Sequence, residues 1–520
     1  MMRQRTSIRK TLCVEQLESR LCPSTYSVVN LGTLGGTSSI AEDINASGQV
    51  VGQAYRPGDV GPQGHGFLWQ NGTMTDLGTL GGPSSDARAI NKFTQVVGGA
   101  NTSAVDASGN PIGHAFLWQN GVMTDLGTLG GTNSAGWDIN ASGQVVGAAT
   151  TASNASDAFV WQNGVMTDLN SLLPANSGWI VSSATGINDN GQITGNGSHN
   201  GFQRAFLLSS GVITDLGNLG GPGSSIAHGL NNSGQVVGLG SASNIQSFAF
   251  LYSGGVMSNL GSLNGGSSAD SEAFAINSSA QVVGLSTFAG GGGLLNPHAA
   301  LWQNGQITDL NKVIAKNSPW VLSKAFGIND TGSIVGQGSI GGQRHAFLMV
   351  PGAPLQAQSV STVAVTATIG MDQVQSLLGE AIARWQAAGV DTSGLGNLQV
   401  HIADLGGTTL GLASGNTIWL DDNAAGWGWF VDATPHNDSE FTTPGNQGEQ
   451  NRMDLLTVLE HEVGHLLGHD HDEGGVMAET LSAGERWTPS GVYVDGPRLF
   501  ADPSGADEAL DSVTGRRKGW

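Results

Sequence analysis

Cysteine is nearly absent from this chain of 520 residues: Cys13 and Cys22 are the only two, both in the first segment. No disulfide framework can staple the rest, which must hold itself together by packing. Basic residues are also scarce, 20 lysines and arginines against 41 aspartates and glutamates. Such a chain has no basic stripe to neutralise phosphates, which excludes nucleic acid as a partner. No apolar run is long enough to span a bilayer, so no transmembrane segment is expected. Charged residues make up only 12%, whereas glycine reaches 81. Abundant Gly, Asn, Ser and Thr at low charge exclude a helical bundle and point to turn-rich β structure. The net charge of −21 fits an extracellular, calcium-containing setting, but a plain solvated acidic surface is the reading it favours.

Residues 1–24 are basic but lack the continuous apolar core of a standard signal peptide. Their VEQLESRLCPS portion resembles short leaders of some large exported bacterial proteins. An extracellular or cell-surface location is therefore expected, with this segment outside the fold.

From Tyr26 to Pro351 the chain repeats itself. The phrase LGTLGG stands at Leu31–Gly36, Leu77–Gly82 and Leu126–Gly131, with looser copies starting at Leu169, Leu216, Leu260 and Leu310. Successive starts lie roughly 43–50 residues apart, the range of propeller and array repeats. Each unit also carries Ile/Leu-Asn-x-x-Gly-Gln-Val-Val-Gly, as at Ile44–Gly52, and a phrase seen best at His114–Asp125. Short β-branched and aromatic runs broken by Asn-Gly or Ser-Gly turns predict three or four antiparallel strands per unit. The last unit stops at His345–Leu348, and Tyr26–Leu31 matches the strand it lacks. One terminus completing the blade begun by the other closes a ring, so residues 25–350 are predicted to form a seven-bladed β-propeller.

These phrases resemble the extracellular HAF-repeat family, named for the His-Ala-Phe found here at His114–Phe116 and His345–Phe347. The resemblance carries little chemistry. Asp157, Arg204 and Phe248 replace the histidine in other units, so His65, His114, His298 and His345 are expected to be structural. Trp69, Trp118, Trp161 and Trp302 are expected to pack the blades rather than to form a sugar platform. The face of the array can still take a glycan or a protein as ligand.

Residues 351–361 read as a Pro/Ala/Gln/Ser linker, after which the grammar changes. Helical spacing of apolar residues predicts a helix over Met371–Ala388 and another over Met453–Leu467, with strands at Leu398–Ala403 and Thr417–Leu420. Residues 362–490 are thus predicted to be an α+β domain, followed by a tail over 491–520. Its second helix carries His461-Glu462-Val463-Gly464-His465, then Gly468, His471 and Met477. His461 and His465 lie four apart and leave one helix face. Glu462 can reach a metal-bound water, and Gly468 can take a positive φ that swings His471 back as a third ligand. Three ligands with an open fourth position are the pattern of a catalytic zinc site.

The run resembles the HExxHxxGxxH signature of metzincins and is most similar to matrixins. That resemblance implies one catalytic Zn2+ on His461, His465 and His471, Glu462 as general base, and Met477 as a floor beneath the metal. His469 competes as third ligand but falls two residues short of the pattern. It further implies a zinc metalloendopeptidase, a hydrolase whose protein or peptide substrate lies extended along an edge strand at Leu410–Ala413, with Leu481 and Trp487 near the specificity pocket. Asp421 and Asp422 fall where calcium ligands would sit, although paired solvated aspartates explain them as well. Two readings compete with a secreted protease. In one the propeller is the functional part, a surface binding or adhesion protein with a degenerate peptidase domain. In the other the peptidase only processes its own chain.

Overall fold

The computed structural model describes residues 26–489 apart from short interior stretches, the longest being 265–269, 289–296 and 443–449. The leader at 1–24 and the tail at 491–520 lie outside the described residues. Four-stranded antiparallel sheets follow one another along the chain as blades. Blades one to three are β2–β5 (Ser39–Asp76), β6–β9 (Gly81–Asp125) and β10–β13 (Gly130–Asp168). Blades four to six are β14–β17 (Trp179–Asp215), β18–β21 (Ser225–Asn259) and β22–β25 (Ser271–Asp309). The seventh combines β26–β28 (Val321–Pro351) with β1 (Tyr26–Asn30), which pairs antiparallel from Tyr26 opposite Pro351 to Asn30 opposite Phe347. The terminal strand thus closes the ring, and the seven-bladed propeller expected from the repeats is what forms.

The repeated phrases have definite mechanical roles. Each asparagine of the Ile-Asn-x-x-Gly phrase is buried and donates its side-chain amide to the backbone carbonyl of the corresponding asparagine one blade on. The bonds run from Asn45 to Asn91 (3.1 Å), to Asn140 (3.0 Å), to Asn188 (3.1 Å) and to Asn231 (3.0 Å). They continue to Asn277 (3.0 Å), to Asn329 (3.0 Å) and back to Asn45 (3.1 Å). At about 1 kcal/mol net for each, these bonds matter less singly than as a closed circuit that fixes the blade number. Buried Phe67, Phe116, Phe159, Phe206, Phe250 and Phe347 fill the spaces within and between blades. The HAF histidines are structural: His65, His114 and His298 pair through Nδ1 with Asp76, Asp125 and Asp309 at 2.8–3.0 Å, and His345 with Asn30 at 3.1 Å. Trp69 and Trp302 are buried, and Trp118 and Trp161 pack partly buried in blade cores.

Every innermost strand carries a bulge at one equivalent place. In the first blade Ala41 faces Gly52 and Asp43 faces Val51, which leaves Glu42 unpaired. The same shift singles out Arg88, Trp137, Thr185, His228, Phe274 and Phe326 in blades two to seven. A bulge turns its extra side chain away from the ladder direction, here towards the propeller axis. The bulge also explains the glycine of Val-Val-Gly. A Cβ on Gly52 would lie 2.0 Å from the Ile40 carbonyl oxygen, and one on Gly284 would lie 1.9 Å from that of Glu272.

Beyond the propeller lies a five-stranded sheet, in order β30 (Gln399–Ala403), β32 (Thr417–Asp421), β31 (Thr409–Ser414), β29 (Leu355–Ala357) and β35 (Thr480–Leu481). A small pair, β33 (Trp429–Phe430) and β34 (Met453–Asp454), adjoins it. Helix α1 (Met371–Ala387) buries Val374, Leu377, Ala381 and Trp385 against α3 (Leu455–Leu466), with the short α2 (Ser439–Thr442) between them in sequence. Asp454 caps α3 by accepting the Thr457 N–H at 3.1 Å.

Two expectations are corrected here. The C-terminal sheet is not a separate α+β unit, because Ala403, Leu405, Leu412 and Trp419 share a core with Val29, Ile44 and Trp69 of the propeller. Trp69 and Trp419 stack at 5.8 Å across the junction. Nor is Leu410–Ala413 an edge strand: residues of the expected linker form β29 and pair with β31, Leu355 opposite Gly411. Among the described residues no helix is long and apolar enough to cross a membrane.

Candidate metal centre

His461 and His465 leave the last turns of α3 on one side, and the Nδ1 atom of each is committed to a backbone carbonyl. His461 donates to Val476 at 2.7 Å and His465 to His469 at 2.8 Å. These bonds set the tautomers and turn both Nε2 atoms to the same side. After α3, Gly468 adopts φ +90° and turns the chain back. His471 then brings its Nε2 to 3.1 Å from that of His461, which stands 3.0 Å from that of His465. Zinc–nitrogen bonds of about 2.0–2.1 Å in a tetrahedron would set such atoms about 3.3 Å apart. The three lone-pair nitrogens fit one small cation. His469 is elsewhere, stacked on Trp385 at 4.7 Å.

Beneath the histidines lies Met477, buried against Gly464. A Cβ on Gly464 would come within 2.4 Å of the Met477 sulfur and 2.7 Å of the Trp385 ring, so only glycine lets these parts meet. Behind α3, the buried Arg486 joins Asp432 (2.7 Å), Asp438 (2.9 Å) and Asp454 (2.8 Å), fixing the start of the helix to the chain that follows the site. Sequence reasoning missed this cluster. Its signal, one arginine among scattered aspartates, has no local spacing.

Glu462 points to the sheet. It is fully buried, and burial holds its carboxyl well above the usual range. The N–H groups of Leu355 and Ala413 act against that shift, but neither completes a hydrogen bond to either carboxyl oxygen. A Cβ on Gly411 would lie 2.7 Å from Glu462 Oε1, which shows how closely β31 covers it. Burial, with His465 beside it, pushes His461 down to about 3. Asp421 spends its carboxylate on the N–H groups of Leu405 (2.9 Å) and Ala425 (2.7 Å). Neither it nor Asp422 joins a cluster of three ligating side chains among the described residues; the three histidines do. Leu481 is buried in β35 opposite Ala357, and Trp487 packs on the C-terminal core.

The family whose model matches this chain is described as a protein of unknown function (DUF3466), over residues 37–222, which are blades one to four. No curated protein matches. Among solved structures, the β-propeller domain of the Trilobed protease from Pyrococcus furiosus is similar at 9% identity and a TM-score of 0.38, over 60% of this chain and 95% of that one. A putative TolB from Agrobacterium tumefaciens has 13% identity and a TM-score of 0.32, over 63% and 98%. A puromycin-hydrolysing peptidase of Mycobacterium tuberculosis has 9% identity and a TM-score of 0.39, over 63% of this chain and 54% of its own. At such low identity and score these likenesses have no bearing on what this chain does.

The family assignments drawn from the sequence are corrected accordingly. The matching family is neither the metzincins nor the HAF-repeat family, and it lies on the propeller. The assignment as a zinc metalloendopeptidase falls with the metzincin one. Two features of the site agree: β29 fills the place beside β31 where a substrate strand was expected, and Glu462 is shut beneath both strands.

Proposed function

We propose that this protein is an exported binding protein whose propeller is the recognition part. The observation that carries this reading is a contrast within the repeats. Framework positions recur from blade to blade: the asparagine of the closed circuit and the bulge glycine in all seven, and the buried phenylalanine in six, with Ala300 in its place in blade six. The residue each bulge turns to the axis varies, being Glu42, Arg88, Trp137, Thr185, His228, Phe274 and Phe326 in turn, with only phenylalanine appearing twice. A framework needs one residue at equivalent positions, whereas a surface that meets an asymmetric ligand needs a different one at each. The near absence of cysteine leaves the ring to be held by packing alone.

The C-terminal body, docked on the propeller through Trp419, serves in this reading as a zinc-held module. His461, His465 and His471 would hold the ion, which would fasten the end of α3 to the loop bearing Met477 and polarise whatever occupies its fourth position.

A thermal-shift survey of the full chain tests the binding reading, using peptides, neutral and acidic oligosaccharides, nucleotides and lipid vesicles. A ligand class that binds the folded chain stabilises it by mass action, by about 2.7 kcal/mol at a hundredfold excess over Kd, and so raises the melting temperature. At least one class is expected to do so. A melting temperature unmoved by every class overturns the reading.

A further inference from the structure

We propose that the axial wall of the propeller binds a neutral oligosaccharide, its sugar rings lying against Trp137, Phe274 and Phe326. The proposal rests on the reading of the propeller as the recognition part and names its ligand class.

The wall sets aromatic rings among polar and charged side chains. Trp137 is 41% exposed, the most open of the seven bulge residues. The Arg88 guanidinium lies 4.0 Å over its ring and pairs with Asp86, while Arg88 Nη1 has no hydrogen-bond partner among the described residues. On the other side of the axis Phe274 and Phe326 lie 5.0 Å apart. His228 stands 5.4 Å from Phe274 and bonds Glu272 at 2.9 Å. Lys324 reaches over the Phe326 ring, and Glu42 feels both Arg88 and Lys324. Beside Arg88 a cavity of about 300 Å³ opens between blades two and three, lined also by Asp86, Asn101 and Asn133. That is the lower end of the usual size for a small-ligand site.

Charge selects the class. Arg88 is paired with Asp86 and His228 with Glu272, and Glu42 lies in the field of both Arg88 and Lys324, so a charged ligand would have to displace a pair and leave a charge uncompensated. A wholly apolar ligand would bury these same groups without hydrogen bonds. What fits is a molecule with apolar faces for the rings and hydroxyl groups for Arg88 Nη1, Asn101 and Asn133. A neutral sugar has both.

Isothermal titration of the full chain with neutral hexasaccharides (gluco-, xylo-, manno- and N-acetylglucosamine-based, each in α- or β-linked form) tests this. At least one is expected to bind with a Kd of millimolar or tighter. Trp137→Ala and Phe274→Ala should each weaken it tenfold or more while keeping the native circular dichroism spectrum. Phe93→Ala, at an exposed aromatic on a turn off the axis, should leave it unchanged. Failure of every hexasaccharide to bind overturns the proposal, as does binding insensitive to both substitutions. A peptide or acidic ligand found in the thermal-shift survey that loses affinity in Trp137→Ala would refute the sugar class and leave the binding reading standing.

Discussion

Gly464 sits between two histidines of one helix and touches a methionine sulfur where no β-carbon would fit. Gly464→Ala is therefore expected to displace Met477 or α3 at a cost of about 1–3 kcal/mol, read by urea unfolding. A change within experimental error would show that this contact is slack. The histidines make a sharper case, because Nε2 of His461 lies 3.0 Å from that of His465 and 3.1 Å from that of His471. Full-length protein equilibrated with zinc and desalted is expected to retain about one ion per chain by atomic absorption. His465→Ala should retain far less and melt lower. Protein that retains no zinc refutes the metal assignment directly. The convergence of these histidines was legible in the sequence because helical periodicity and a turn glycine suffice to bring them together. The covering of Glu462 was not, since it depends on a strand more than a hundred residues away.

At the scale of elements, the bulge links the propeller's most regular feature to its least regular one. The glycine opposite each bulge is dictated by a carbonyl oxygen at about 2 Å from any added Cβ. Gly284→Ala should cost several kcal/mol or abolish the bulge, which protease susceptibility of blade six would register. The repeats were legible as strands because alternation and turn residues are local signals. The bulge was not, since it needs the partner strand's register.

Two bulged strands also carry a pH dependence. Asp43 accepts the N–H groups of Ile44 and Ile90, and Asp138 those of Ile139 and Ile187, each tying its blade to a neighbour. Burial pushes both carboxyls up to about 7 from an ordinary value of 3.8. Between those limits the unfolded chain releases protons that the folded chain keeps. Their stabilisation is therefore complete below about pH 4 and is lost as pH rises to about 7. Asp43→Asn with Asp138→Asn keeps an acceptor oxygen at each place and removes the titration. Relative to wild type, the double variant is expected to gain stability steadily as urea unfolding is repeated from pH 4 to pH 7. Parallel stabilities across that range would contradict the assignment.

At the scale of the whole molecule, closure is achieved twice, by β1 completing the seventh blade and by the circuit of seven asparagines. The first was legible because the terminal phrases complement each other. The second was present in the sequence as a repeated asparagine, but its partners lie one blade away, at separations such as 46 residues and, across the closure, 284. The C-terminal body joins this ring through a shared core in which Ala403, Leu405, Leu412 and Trp419 meet Val29, Ile44 and Trp69, the two tryptophans stacking. Trp419→Ala should cost about 3–5 kcal/mol of packing and make the junction cleavable by limited proteolysis, with the propeller itself intact.

The central claim is that recognition belongs to the axial wall of the propeller and not to the histidine site. Hydrogen–deuterium exchange of the full chain, with and without whichever ligand class raises its melting temperature, tests this most directly. The account predicts slowed exchange in the strands that carry Arg88, Trp137, His228, Phe274 and Phe326. Slowing confined to residues 409–421 and 453–488, around β31 and α3, would contradict it.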